Sequence, residues 1–222
     1  VRNNPQQAIT REQAQKMGAK VLLSDSDYLG FTLCFEPNAF DGKDSQFANT
    51  QGHDKTGRFI SYLTKNGTGG YVIEPLVDYE SEDKAPWYWQ PKKLLGEIVT
   101  EPVLYPIQGK MVLMVSFMTP VLDGNQFIGV TGIDYSIDFL QELVSKSDFF
   151  GGQARISIVS YEGTYAANSA KKDLIGKSIK ETDGSDYNRR IDELKTGKKT
   201  EFETSEYMCV YVPIYVGKSK FP

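Results

Sequence analysis

KMVLMVSFMTPVLDGNQFIGVTGID, residues 110–134, is the stretch that decides the fold class. Lys110 to Pro120 and Gln126 to Ile133 are rich in β-branched and aromatic side chains, which favour strands. Asp123-Gly124-Asn125 between them is a strong turn signal, so the two runs predict an antiparallel pair. Upstream, Leu29 to Glu36 (LGFTLCFE) predicts a further strand, buried on at least one face. Arg58 to Lys65 and Tyr71 to Glu74 predict strands around the NGTGG turn at 66–70. The core is therefore an antiparallel sheet.

Helices flank these strands. Residues 5–24 place Ala8, Ile9, Met17, Val21 and Leu22 near helical spacing among Gln, Arg, Glu and Lys, with Pro5 suited to a first turn. Trp87 to Leu95 predicts a short helix despite Pro91. Ser136 to Val144 puts Ile137, Leu140 and Val144 on one face, with Ser136 as its cap. Residues 37–57 are a run of turn-formers, and a loop of about twenty residues is usually functional or well packed.

FFGGQ at 149–153 breaks the composition, and the pattern then restarts. Arg155 to Ser160 predicts a strand, 161–164 (YEGT) a turn, and Glu201 to Thr204 and Tyr207 to Val216 further strands. The expected fold is α+β: an N-terminal helix within 1–28, a first sheet module over 29–150 and a second over 151–222.

The composition excludes several functions. Lys and Arg number 25 against 29 Asp and Glu, a net charge of −4 without a basic stripe, which argues against nucleic acid. One histidine, His53, and two cysteines, Cys34 and Cys209, cannot build a Cys/His zinc site, and no nucleophile elbow accompanies His53. No metal and no cofactor are expected. The two cysteines leave the disulfide state and the compartment open. No run of 18 apolar residues exists to span a bilayer. Val1 is not an initiator methionine, so the chain reads as a piece of a longer protein whose other parts carry the membrane segments.

Several segments, in order, resemble the double Cache family of extracytoplasmic sensor domains from chemoreceptors and sensor histidine kinases. They are 35–62 (FEPNAFDGKDSQFANTQGHDKTGRFISY), the Trp-Tyr-x-x-Pro pattern at Trp87, Tyr88 and Pro91, Thr100-Glu101-Pro102, SFMTP at 116–120 and FIGVTGID at 127–134. ISIVSYEG at 156–163, Leu174-Ile175-Gly176 and the run from Pro213 to Pro222 extend the resemblance more weakly. The resemblance implies two PAS-like modules after a long helix, the first (membrane-distal) one binding a small molecule. It also implies membrane anchoring through segments outside this chain, a periplasmic or extracellular location, signal transduction without catalysis, and pairing of two copies through the N-terminal helix.

Amino-acid sensors of this family carry a Tyr-x4-Arg-x-Trp-Tyr run followed by a Tyr and an Asp. Tyr79, Trp87, Tyr88 and Asp134 match, but Ala85 stands where the arginine is expected and Val103 where the tyrosine is. A carboxylate clamp normally needs a guanidinium's paired donors. That departure favours an amine or quaternary ammonium ligand over an amino acid or small carboxylate. Asp134 either receives that cation or caps the helix near Ser136. Trp87 and Tyr88 are expected to wall the pocket and Trp89 to pack in the core; Tyr62, Tyr71, Tyr105 and Ser116 are further candidates. Asp78 either faces the same cleft or starts a turn. Asp41 and Asp44 read as solvated loop acids, and Arg58 as a partner for one of them. Lys92-Lys93 reads as a solvated pair. A hydrolase using acidic residues is the reading from another class, although no carboxylate pair stands out by spacing.

Overall fold

The computed structural model describes residues 9–107, 110–147, 150–182, 187–203 and 207–216. The chain divides into two compact units, Val1–Ile98 with Ser116–Tyr135, and Val99–Val115 with Ser136–Pro222. The composition break near residue 150 falls inside the second of these.

The first unit opens with helix α1, Arg11–Leu22. The expected helix over 5–24 is shorter among the described residues because Thr10 caps it. The Thr10 hydroxyl accepts from the Gln13 amide while the Gln13 side chain accepts from the Thr10 amide, a reciprocal capping box. Pro5 lies outside the described residues. Strands follow at β1 (Tyr28–Phe35), β2 (Ile60–Lys65) and β3 (Tyr71–Pro75), then helix α2 (Pro86–Leu94) and the short β4 (Ile98–Val99). After β5 (Val103–Ile107) come the long strands β6 (Lys110–Asp123) and β7 (Gln126–Ser136), joined through Gly124 at φ +61° and Asn125. The strand order is β3-β2-β1-β7-β6-β4, with β1 antiparallel to both its neighbours.

Register fixes which side chains share a face, because side chains alternate along a strand. Cys34 is opposite Ile60 and Val130, and these pack with Met118 beneath Ala85 and Tyr88 of the α2 segment. The residues between them on β1, Phe31, Leu33 and Phe35, face Ala14 of α1 or pack near Ala19 and Leu22. Leu22 is fully buried, worth about 1.5–3 kcal/mol relative to exposure. One sheet therefore carries α1 on one face and α2 on the other.

In the second unit β5 pairs with Lys110–Met114 of β6, and helix α3 spans Asp138–Lys146. Ile137, not Ser136, is the cap residue of α3; the Ser136 hydroxyl accepts from the Asp138 amide at 3.4 Å. Two hairpins follow, β8 (Ser157–Val159) with β9 (Tyr165–Asn168), and β10 (Thr200–Glu203) with β11 (Met208–Tyr211). Between them lie α4 (Ile179–Thr182) and α5 (Tyr187–Lys195), and Tyr165, Ile179 and Ile191 form the core. The strand expected to run to Val216 ends at Tyr211 because Pro213 follows closely and cannot donate to a ladder. Both cysteines are free thiols, and burial pushes that of Cys34 up to about 12.

Candidate functional site

Asp134 lies near the end of β7, opposite Gly30 of β1, on the face that carries α2. It is 6% exposed. The Ser116 hydroxyl of β6 donates to Oδ1 and the Tyr62 hydroxyl of β2 donates to Oδ2, each at 2.5 Å. Three strands thus converge on one carboxylate. Burial raises its pKa, and the two hydroxyl bonds only partly oppose that. Among the described residues Asp134 has no ionic partner. Nor does it cap α3, whose first turn is reached by Ser136 instead.

The other candidates occupy four distinct places. Tyr79, Trp87 and Tyr88 belong to the α2 side. Tyr88 is 2% exposed; its hydroxyl accepts from Arg58 Nη2 at 2.8 Å and donates to Glu36. Tyr79 is buried and donates to Asp54 Oδ2 at 2.7 Å, with the Arg58 guanidinium 4.7 Å above its ring. Trp87 is half-buried and meets Tyr88 edge-on. Trp89 packs in the same core, as expected, with its indole donating to the Tyr79 carbonyl at 3.1 Å. Tyr71 is elsewhere: it pairs with Lys65 and packs with Leu22 and Leu63 on the α1 face. Asp78 is an exposed turn residue at φ +58° that pairs with Lys84 at 3.3 Å. Tyr105 sits exposed on β5 in the second unit. An open cleft of about 420 Å³, lined by Asp54, Lys55, Thr56, Asp78, Tyr79, Glu80 and Ser81, shares only Tyr79 and Asp78 with the candidates.

The long loop departs from expectation. Asp44 is a buried acid rather than a solvated one, Asp41 is exposed but ion-paired, and Arg58 is the partner of neither. Arg11 at the start of α1 takes Asp41 in a two-point bond (3.0 and 2.6 Å) and Asp44 at 2.6 Å, and also donates to the Gly57 carbonyl at 2.7 Å. Arg58 instead donates to the Phe35 carbonyl and Tyr88. Lys92 pairs with the half-buried Glu36 at 2.6 Å and is therefore no free surface charge. Sequence reasoning missed Arg11, although a signal existed: a cation in a helix's first turn opposes the helix dipole. A second missed signal is Gly30, a glycine inside a strand, which marks a close approach.

His53 stacks between Phe47 and Phe59 at 5.1 and 5.6 Å, and its Nε2 is buried without a hydrogen-bond partner among the described residues. Burial depresses its pKa below 6.5. A depressed base contributes stability above its unfolded pKa and loses it as pH falls through the folded value. Urea unfolding between pH 7.5 and 5 is expected to show falling stability that His53→Phe flattens. Equal losses in both proteins would contradict this account.

The first unit is thus an antiparallel sheet with a helix on each face and a buried carboxylate near the end of β7. Residues 15–142 match the family described as methyl-accepting chemotaxis protein-like, first PDC sensor domain, and the chain belongs to that family. Methyl-accepting chemotaxis protein TlpQ of Pseudomonas aeruginosa is 28% identical over 92% of this chain and 30% of its own length. The chain thus spans under a third of that relative. The extracellular domain of a protein described as a histidine kinase, mmHK1S-Z2, superposes with a TM-score of 0.78 at 29% identity, covering 92% of this chain and 77% of that one. The ligand-binding domain of Campylobacter jejuni chemoreceptor Tlp3, solved in complex with L-norvaline, shares the fold at a TM-score of 0.51 and 14% identity, over 93% of this chain and 69% of that one. The chain is an extracytoplasmic ligand-sensing domain and not an enzyme. Among the described residues no helix is long and apolar enough to cross a membrane.

Proposed function

We propose that the first unit binds a small metabolite through its ammonium group, an α-amino acid before a simple amine. The observation that carries this reading is the Asp134 carboxylate, buried and held by two hydroxyls without a counter-charge among the described residues. An uncompensated buried charge costs stability, and an ammonium ligand offsets that cost. The amino-acid form is supported by Tlp3, whose fold this chain shares and which holds L-norvaline. The simple or quaternary amine remains the second reading because Ala85 replaces the clamp arginine. Arg58 and Lys92, on the α2 side, already bond Tyr88 and Glu36. Trp87 would then flank the cation.

Occupancy would reach a cytoplasmic chemotaxis or kinase module only if the ligand binds one arrangement of the receptor better than another. Pairing of two copies through α1 belongs to the same proposal; its outer face leaves Met17 and Val21 exposed. The test is a thermal-shift panel of L-amino acids, primary and quaternary amines, and carboxylates lacking nitrogen. A ligand at a hundred times its Kd adds about 2.7 kcal/mol, a shift of several degrees in a domain of this size. Stabilisation by ammonium compounds is expected, and by simple amines as well if the second reading holds. Shifts confined to nitrogen-free carboxylates would overturn both.

A further inference from the structure

Gly30 pairs with Asp134 on one side and Thr64 on the other, in the middle of the sheet. Glycine weakens a strand interior, and a β-branched or aromatic residue would suit that position better. Its backbone does not explain the choice, since Gly30 is not among the residues at positive φ. The space above it does. A Cβ built on Gly30 would lie 2.4 Å from the Tyr62 hydroxyl, 2.6 Å from Asp134 Oδ2 and 2.7 Å from Tyr62 Cε2. Tyr62 is paired with Thr32, two residues along β1, so its ring must lean across Gly30 to reach the carboxylate. The β1–β7 register also shifts between Tyr28 and Gly30, with Leu29 as the extra residue. Bulges of this kind re-aim side chains beside binding sites.

We propose that Gly30 is a positioning residue of the Asp134 subsite, its missing side chain being the space in which the Tyr62 hydroxyl meets the carboxylate. This rests on the ammonium reading given above and adds the element that sets the carboxylate's strength as an acceptor. With a side chain at position 30, Tyr62 and Asp134 separate and Ser116 alone holds the carboxylate. A buried carboxylate with one hydroxyl donor fewer ionises less readily and binds a cation more weakly.

The test uses the chain itself with two probes, L-norvaline and n-butylammonium, followed by calorimetry. The carboxyl carbon shift of Asp134 is followed against pH without ligand. In Gly30→Ala the Asp134 titration is expected to move upward, whereas a general loss of packing would admit water and move it downward. Affinity for whichever probe binds the wild type should fall about tenfold, the scale of one hydrogen bond to a charged group. Tyr62→Phe should cost the wild type a similar factor and the Gly30→Ala background nothing. An unmoved titration, or a Tyr62→Phe effect equal in both backgrounds, overturns the proposal. Should neither probe bind the wild type, the ammonium reading falls, while the Asp134 titration still judges Gly30. Should Gly30→Ala fail to fold, Gly30→Ala with Tyr62→Ala is expected to fold and to melt within a few degrees of Tyr62→Ala, because shortening the tyrosine removes the crowding. Failure of that double variant also overturns the proposal.

Discussion

Arg11→Met is expected to lower the melting temperature of the first unit by roughly 6–20 °C. The guanidinium of Arg11 is 3% exposed and joins α1 to Asp41, Asp44 and the Gly57 carbonyl, with Phe47 4.3 Å beneath it. Removing one partner of a buried ion pair costs about 3–5 kcal/mol, mostly because the other charge stays buried and uncompensated. In a chain of this size each kcal/mol moves the midpoint by about 2–4 °C. Methionine keeps much of the volume, so the loss isolates the charge. Combining Arg11→Met with Asp44→Asn should recover part of it, since Asp44 is then no longer an unpaired buried acid. Differential scanning calorimetry of the three proteins decides the matter. A fall of only a degree or two would mean the network is neutral in stability.

The pH dependence has a definite sign. Burial alone would raise the Asp41 pKa, but the Arg11 hydrogen bond, the Lys43 amide and the Arg11 charge together hold it below 3.8. A depressed carboxyl contributes stability above its unfolded pKa and loses it as pH falls through the folded value. The gap between wild type and Arg11→Met should therefore narrow below about pH 4. His53 acts at higher pH, below 6.5, so the two effects separate along one titration.

Local patterning made the sheet legible and long-range pairing kept the site obscure. The runs at 29–36, 58–65, 71–74, 110–120 and 126–133 announced themselves through β-branched and aromatic content, and each is a strand. β9 (YAAN) and β5 (VLYPI) were silent, the first for lack of β-branched residues and the second because Pro106 masks it. Helix α5 escaped although Ile191 and Leu194 share a face, since its other positions are strongly polar. Asp134, Ser116 and Tyr62 were all on the candidate roll, yet nothing in their spacing said that three strands bring them within bonding distance. That follows from register, which depends on the whole face being buried. Tyr71 shows the converse: three positions before Glu74, which is opposite Tyr62, it falls on the α1 face.

Asp134→Asn is expected to remove ammonium binding and to make the ligand-free domain more stable at neutral pH. The carboxylate's pKa is raised, so the sign is opposite to that of Asp41. A raised acid contributes stability below its unfolded pKa, near 3.8, and loses it as pH rises through the folded value. A carboxyl buried among Ser116, Tyr62 and Gly30 is costly to ionise, and asparagine removes that cost while keeping the shape. Both hydroxyls retain a partner, because a hydroxyl donates to the amide oxygen or accepts from the amide nitrogen. The melting temperature of Asp134→Asn should exceed wild type by several degrees at pH 7 and converge with it near pH 3. Losing one side of a buried charge pair costs about 2–5 kcal/mol of binding, so affinity for an ammonium ligand should drop roughly 30-fold to several thousand-fold. The combination is what carries weight: more stable empty, weaker with ligand. A variant that unfolds without ligand would make Asp134 a structural anchor, and one that binds normally would place the ammonium elsewhere.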